Sequence, residues 1–123
     1  ADVCSRHFDG TDGVMQPWGD VWGALVNRTA CPSPWIGRTF ASAAYVGLGP
    51  FWEDYPHYYA DAELVALAGG QGKLWWRENL TQYHDHYLRR REKVPEHLIR
   101  WKPTLSASRL LFEKRRAAGF PRT

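Results

Sequence analysis

Residues Lys73–Lys93, KLWWRENLTQYHDHYLRRREK, form the longest stretch of the chain without glycine or proline. Large apolar side chains recur in it at intervals of four, three and four residues, at Trp76, Leu80, Tyr83 and Tyr87. At about 100° per residue these positions fall within an arc of roughly 60°, as in an amphipathic helix. The periodicity therefore predicts one long helix over about residues 73–93.

Shorter helices are predicted on both sides of this stretch. One covers residues 62–68 and ends at a pair of glycines. Another covers residues 96–101, directly after Pro95, because the first turn of a helix does not need the N–H that proline lacks. The last is capped by either Thr104 or Ser106 and runs to about Ala118, and Gly119 follows it as a left-handed terminator.

The N-terminal half is rich in glycine, proline and turn signals and is predicted to be largely irregular. A short helix is predicted to begin at Pro17, and residues 38–49 fit either a strand or a helix. Residues 49–59, GPFWEDYPHYY, are predicted to form a rigid aromatic docking loop. The expected fold is mostly α with extensive loops, irregular over 1–59 and helical over 60–123, in one small domain or extended subunit completed by partners.

Aromatic residues are unusually frequent, with seven Trp, six Tyr and five Phe. Trp and Tyr are enriched at protein interfaces because they bury large areas at low entropic cost. Together with a basic cluster at the C-terminal end of residues 73–93, the aromatic residues give a predicted interface set. It consists of Trp52, Tyr55, Tyr58, Tyr59, Trp76, Arg89, Arg90, Arg91 and Trp101.

Charge is divided unevenly along the chain. Up to Tyr59 there are six acidic and three basic residues, and from Ala60 onward there are seven acidic and thirteen basic ones, which together give the net charge of +3. The basic C-terminal third indicates an acidic partner, either another protein subunit or anionic lipid head groups, with RNA as the alternative. No apolar run approaches the roughly 20 residues of a membrane helix.

The candidate chemical groups give no recognisable catalytic, cofactor or metal motif. In a helix, His84 and His86 would point about 200° apart and could not bind one ion. Cys4 and Cys31 could close one disulfide in an oxidising compartment or remain two thiols in a reducing one, and their spacing does not decide between these states. We therefore predict no catalytic, cofactor or metal residues.

Three function classes remain. The first is a non-catalytic accessory subunit of a large assembly, and in composition the chain resembles supernumerary subunits of mitochondrial membrane complexes. This likeness implies a mitochondrial location beside a complex such as one of the respiratory chain, and the absence of Met at position 1 fits removal of a targeting peptide or trimming of the chain. The second is a small nucleic-acid-binding protein of ribosomal type. The third is a secreted small domain with one disulfide.

Overall fold

A three-stranded sheet lies at the centre of the computed structural model, which describes residues 2–19, 28–83, 85, 87 and 90–123. Its strands are β1 (Val14–Gly19), β2 (Trp35–Ile36) and β3 (Leu74–Gln82). The order is β2-β1-β3, with β1 antiparallel to β2 and parallel to β3. The parallel pair requires a long crossover, and this connection carries β2 and the two helices that cover the sheet.

The helices flank the sheet and fill the C-terminal third. They are α1 (Asp2–His7), α2 (Arg38–Ala44), α3 (Ala60–Gly70), α4 (Glu96–Trp101) and α5 (Leu105–Ala117), with a short 3-10 turn between the last two. The three shorter helices predicted from the sequence, α3, α4 and α5, are confirmed. Gly119 follows α5 with a φ of +75°, as predicted for a left-handed terminator.

The predicted long helix over residues 73–93 is wrong. Its first part is strand β3, and the described residues between Gln82 and the end of the stretch at Lys93 lie in turns and irregular backbone. The interval between Trp76 and Leu80 is an even number of residues, so it fits the two-residue period of a strand as well as one helical turn. Because β3 pairs with a strand far away in the sequence, no local periodicity indicates the pairing.

The short helix predicted at Pro17 is also wrong, because this residue lies within β1. The register between β1 and β3 shifts directly after Pro17, so the N–H that proline lacks falls where the hydrogen-bond ladder is already interrupted. The N-terminal half is therefore not irregular: it contributes two strands and two helices. The chain is a small mixed α/β domain and not the mostly α fold that the sequence predicted.

The main hydrophobic core lies between one face of the sheet and the helices α2 and α3. Val14 of β1, Phe40 of α2 and Leu64 of α3 are buried in it, and Leu74 and Trp76 of β3 pack against it. Alternation along β3 thus directs these two residues to the core. Trp76, a member of the predicted interface set, thus packs against the core from a strand.

The opposite face of the sheet packs on α1. The Trp75 ring is stacked on His7, with centroids 3.9 Å apart and planes at 6°, and Phe8 meets the same ring edge-on at 6.4 Å. Trp75 thus joins α1 to the sheet.

Candidate functional site

A buried carboxylate in the first turn of α3 connects three distant segments of the chain. Glu63 is fully buried. Arg115 of α5 donates hydrogen bonds from Nε and Nη2 to its two oxygens, at 2.7 to 3.1 Å. The hydroxyls of Tyr45 and Tyr55 donate to the same carboxylate at 2.8 and 2.7 Å. We call these four residues the Glu63 network.

Hydrogen bonds within the Glu63 network compensate the burial of its two charged side chains, Glu63 and Arg115. Burial raises the pKa of Glu63, but the hydrogen bonds from Arg115, Tyr55 and Tyr45 outweigh it and bring this pKa below the usual value. Burial and the hydrogen bond to the carboxylate raise the pKa of both tyrosines, which therefore stay protonated. The four donor atoms hold Glu63 in its charged form, so the network ties α3 to α5 and to the segments of Tyr45 and Tyr55.

Arg115 extends this tie to the aromatic loop and the C-terminus. Its guanidinium carbon lies 3.8 Å from the centroid of the Trp52 ring, a cation–π distance. Its Nη2 also donates to the main-chain oxygen of Pro121 at 2.7 Å. Arg115 is one of the two buried residues of α5, with Ser108, and its hydrogen bonds to Glu63 join this helix to α3.

A cavity of about 950 Å³ opens beside the Glu63 network, between the aromatic loop and the segment before α4. The lining includes aromatic side chains of residues 49–59, prolines from both sides and a few titratable groups. The aromatic and proline members are Phe51, Trp52, Tyr55, Tyr58, Tyr87, Pro32, Pro34, Pro56 and Pro95. Its volume lies within the range of small-molecule sites.

The Asp and Arg side chains of the lining are Asp61, Asp85 and Arg90, and the last two form an ion pair. Arg90 is paired with Asp85 at 3.4 Å and with Glu92 at 3.2 Å. Asp61 receives the N–H of Ala62 at 3.0 Å, and among the described residues it has no ion-pair partner. Burial raises the pKa of Asp61, against the opposing effects of backbone N–H groups and of His57. Asp85 thus forms an ion pair, whereas Asp61, the other carboxylate of this lining, forms none with a described residue.

Cys31 lies at the base of the same cavity and is fully buried. Burial, with a smaller contribution from Asp61, raises its pKa to about 12. The side chain is therefore a neutral thiol at physiological pH and a poor nucleophile. Cys4 lies in α1, and both cysteines are free thiols in the structure. The position of Cys31 favours a packing role.

The cavity brings four of the predicted interface residues together: Trp52, Tyr55, Tyr58 and Arg90. Tyr55, however, is 7% exposed and directs its hydroxyl to Glu63, so it is a core residue. Arg91, the residue after Arg90, lies in a turn and is exposed.

The other predicted interface residues lie elsewhere. Trp101 is stacked on His57 with centroids 6.2 Å apart, at the edge of the aromatic loop. Tyr59 packs on Phe112 of α5 at 5.3 Å and lines a second cavity of about 560 Å³. Arg89 lies outside the described residues, as do His84 and His86.

An exposed apolar loop tip, which the sequence does not reveal, follows α2 and reaches the start of the aromatic loop. The side chains of Val46, Leu48 and Phe51 are 69%, 67% and 39% exposed. Val46 has a φ of +55°, which is a strained conformation for a β-branched residue. The Leu48 N–H closes the turn on the main-chain oxygen of Tyr45, whose own side chain is buried in the core. We call residues 46–51 the apolar tip.

Over the described part of the chain, no cluster of three or more His, Cys, Asp or Glu residues could hold a metal ion. None of the helices in the same ranges combines the length and the apolar character needed to cross a bilayer.

The chain was compared with known protein families, with curated proteins and with solved structures, and none of them matches it.

Proposed function

We propose that the chain is a non-catalytic subunit that binds another protein subunit of a larger assembly through its apolar tip. The observation that carries this proposal is the exposure of Val46 and Leu48 on a strained turn. Such strain costs on the order of 1–3 kcal/mol and is often found where a segment has a function. Exposed large apolar side chains that are held rigidly at their base form good anchors for a partner pocket.

The distribution of charge supports a partner with an acidic face. In the described C-terminal segments, α5 carries Arg109, Lys114 and Arg116 at exposed positions, and Arg91 and Lys93 are exposed before α4. Among these cations, only Arg116 forms an ion pair with another described residue, Glu113. Exposed cations of this kind speed and orient association with an acidic surface, and this contribution weakens as salt concentration rises.

The finer proposal is that the assembly is a mitochondrial membrane complex, such as one of the respiratory chain, and that the chain lies peripheral to the membrane. Its support is the composition: the large share of Trp and Tyr, the basic C-terminal third and the lack of a recognisable catalytic motif. Anionic lipid head groups are a second acidic surface that the same cations would meet in that setting.

The proposal is tested by comparing two charge insertions near the apolar tip. Leu48→Asp places a carboxylate on the exposed tip, whereas Ser42→Asp places one on the exposed side of α2. Each variant replaces the natural protein in the cells that make it, and its assembly is followed on native gels with identification of the co-migrating subunits. Circular dichroism of the purified variants verifies that both remain folded.

We expect Leu48→Asp to release the chain from a stoichiometric protein partner and Ser42→Asp to leave that partner bound. Equal behaviour of the two variants would refute the apolar tip as the binding surface. Release by ribonuclease and not by Leu48→Asp would support the nucleic-acid alternative.

A further inference from the structure

The cavity beside the Glu63 network has no role in the proposed function, although its volume of about 950 Å³ would hold a small ligand. Prolines on both sides stiffen its walls, which lowers the entropic cost of ligand binding. The chemistry of its lining restricts the ligand class.

An anionic ligand does not fit the charges of the cavity. Arg90 is already shared between Asp85 and Glu92. Asp61 and Asp85 both belong to the lining and would repel a second negative charge. Asp61 has no ion pair with any described residue, and burial raises the pKa of its carboxyl group. A bound cation would offset this cost, so the electrostatics favour a positive ligand.

The aromatic side chains of the lining also favour a positively charged ligand. The faces of Trp, Tyr and Phe rings attract cations through their quadrupole, and Trp does so most strongly. The Arg115 guanidinium lies 3.8 Å from the centroid of the Trp52 ring, so this ring already makes one cation–π contact, with a residue that is not part of the lining. Phe51 and Tyr58 supply further rings along the same lining.

We propose that this cavity binds a methylated ammonium group, with Asp61 as its counter-charge and Phe51, Trp52 and Tyr58 as its aromatic wall. A bare ammonium is strongly hydrated and has three N–H donors to satisfy. A methylated ammonium spreads its charge over methyl groups, so it suits walls made of rings and prolines. The inference does not rest on the proposed function, since Val46 and Leu48, which carry that function, lie outside this lining, and Phe51 is the one residue of the apolar tip that belongs to it.

Titration of the full chain with a charged ligand and its neutral isostere tests the proposal. Choline and 3,3-dimethylbutan-1-ol have nearly the same shape but differ in charge, and binding is followed by calorimetry and by Trp fluorescence. We expect choline to bind about tenfold or more tightly than the alcohol, in line with a desolvated cation–π site. A peptide with one trimethyl-lysine carries the same head group, and whichever probe binds more tightly identifies the source.

Two carboxylate variants provide the matched comparison. Asp61→Asn removes the proposed counter-charge, and Glu53→Gln removes an exposed carboxylate of the same loop region that is not part of the lining. We expect about fivefold or greater loss of choline affinity for Asp61→Asn and no change for Glu53→Gln. Tyr58→Leu, which removes one ring of the wall, should also weaken choline binding.

Three results would overturn the proposal: equal affinity for choline and the alcohol, equal affinity of the two carboxylate variants, or no binding of any methylated ammonium at millimolar concentration. Leu48→Asp should leave choline binding unchanged. The failure of the cavity proposal is therefore distinguishable from the failure of the proposed protein-binding function.

Discussion

Replacing Arg115 by Met should destabilise the domain strongly at neutral pH. The substitution removes three hydrogen bonds to the fully buried Glu63 and the cation over Trp52, while its unbranched chain fills much of the same space. Removing one partner of a buried ion pair typically costs about 3–5 kcal/mol, because the other charge is left uncompensated. The tyrosine hydroxyls that still donate to Glu63 place the expected loss near 3 kcal/mol.

The loss should depend on pH with a defined sign. In the natural chain the pKa of Glu63 lies below its unfolded value, so its stabilising contribution is full above that value and is lost as pH falls through the folded pKa. Without Arg115, burial is opposed only by the two tyrosines, so the pKa of Glu63 rises and the charged form becomes costly. The difference between variant and natural chain should therefore be largest near pH 7 and shrink towards pH 4.

Urea unfolding followed by circular dichroism at several pH values measures this difference. Arg116→Met is the matched control, since Arg116 is the next residue, its side chain is 60% exposed and its ion pair with Glu113 lies on the surface. We expect the control to cost less than about 0.5 kcal/mol. A further change, Glu63→Leu in the Arg115→Met background, should recover part of the loss. Equal costs for the two arginine variants, or a cost that does not vary with pH, would contradict the structural role of the Glu63 network.

Three further predictions concern single side chains. Trp76→Ala should lower the free energy of unfolding by about 3 kcal/mol because Trp76 packs on the main core. Trp75→Ala should cost less and loosen α1, which packs on the opposite face of the sheet. Equal costs of the two variants in urea unfolding would contradict this assignment of the two tryptophans to opposite faces. In the native state Cys4 should react with iodoacetamide far faster than Cys31, whose thiol is buried with a pKa raised to about 12; mass spectrometry that finds both modified at the same rate would refute this. Val46→Gly should raise thermal stability by up to about 1 kcal/mol by relieving the positive φ, and an unchanged or lower melting temperature would contradict the strain.

The sequence predicted the parts of the fold that depend on local signals. Helix α4 begins after Pro95 and α5 ends before Gly119, and both boundaries are set by backbone chemistry within a few residues. The sheet depends instead on the pairing of β1 with β3, and an interval of four residues, as between Trp76 and Leu80, does not separate a strand from a helix. This ambiguity produced the wrong fold class.

The candidate sites divide in the same way. An aromatic loop is visible in composition, and three residues of the predicted interface set, Trp52, Tyr58 and Arg90, line the same cavity. Their part in an interface stays a prediction. The Glu63–Arg115 pair joins residues 52 positions apart, and neither residue stands out in its own segment. The apolar tip depends on a positive φ at Val46, which the sequence VGLG does not reveal. Only the tertiary structure shows which charges are buried together and which apolar residues stay exposed.

Site-specific photo-crosslinking tests the central claim, that the apolar tip binds another protein subunit, most directly. A photoreactive amino acid replaces Leu48 in one chain and Ser42 in another, and each chain is irradiated in its assembled state within its native cells. The account predicts that position 48 crosslinks to one protein in high yield and that position 42, on the exposed side of α2, does not. A chain that crosslinks at neither position and migrates as a free monomer would contradict it.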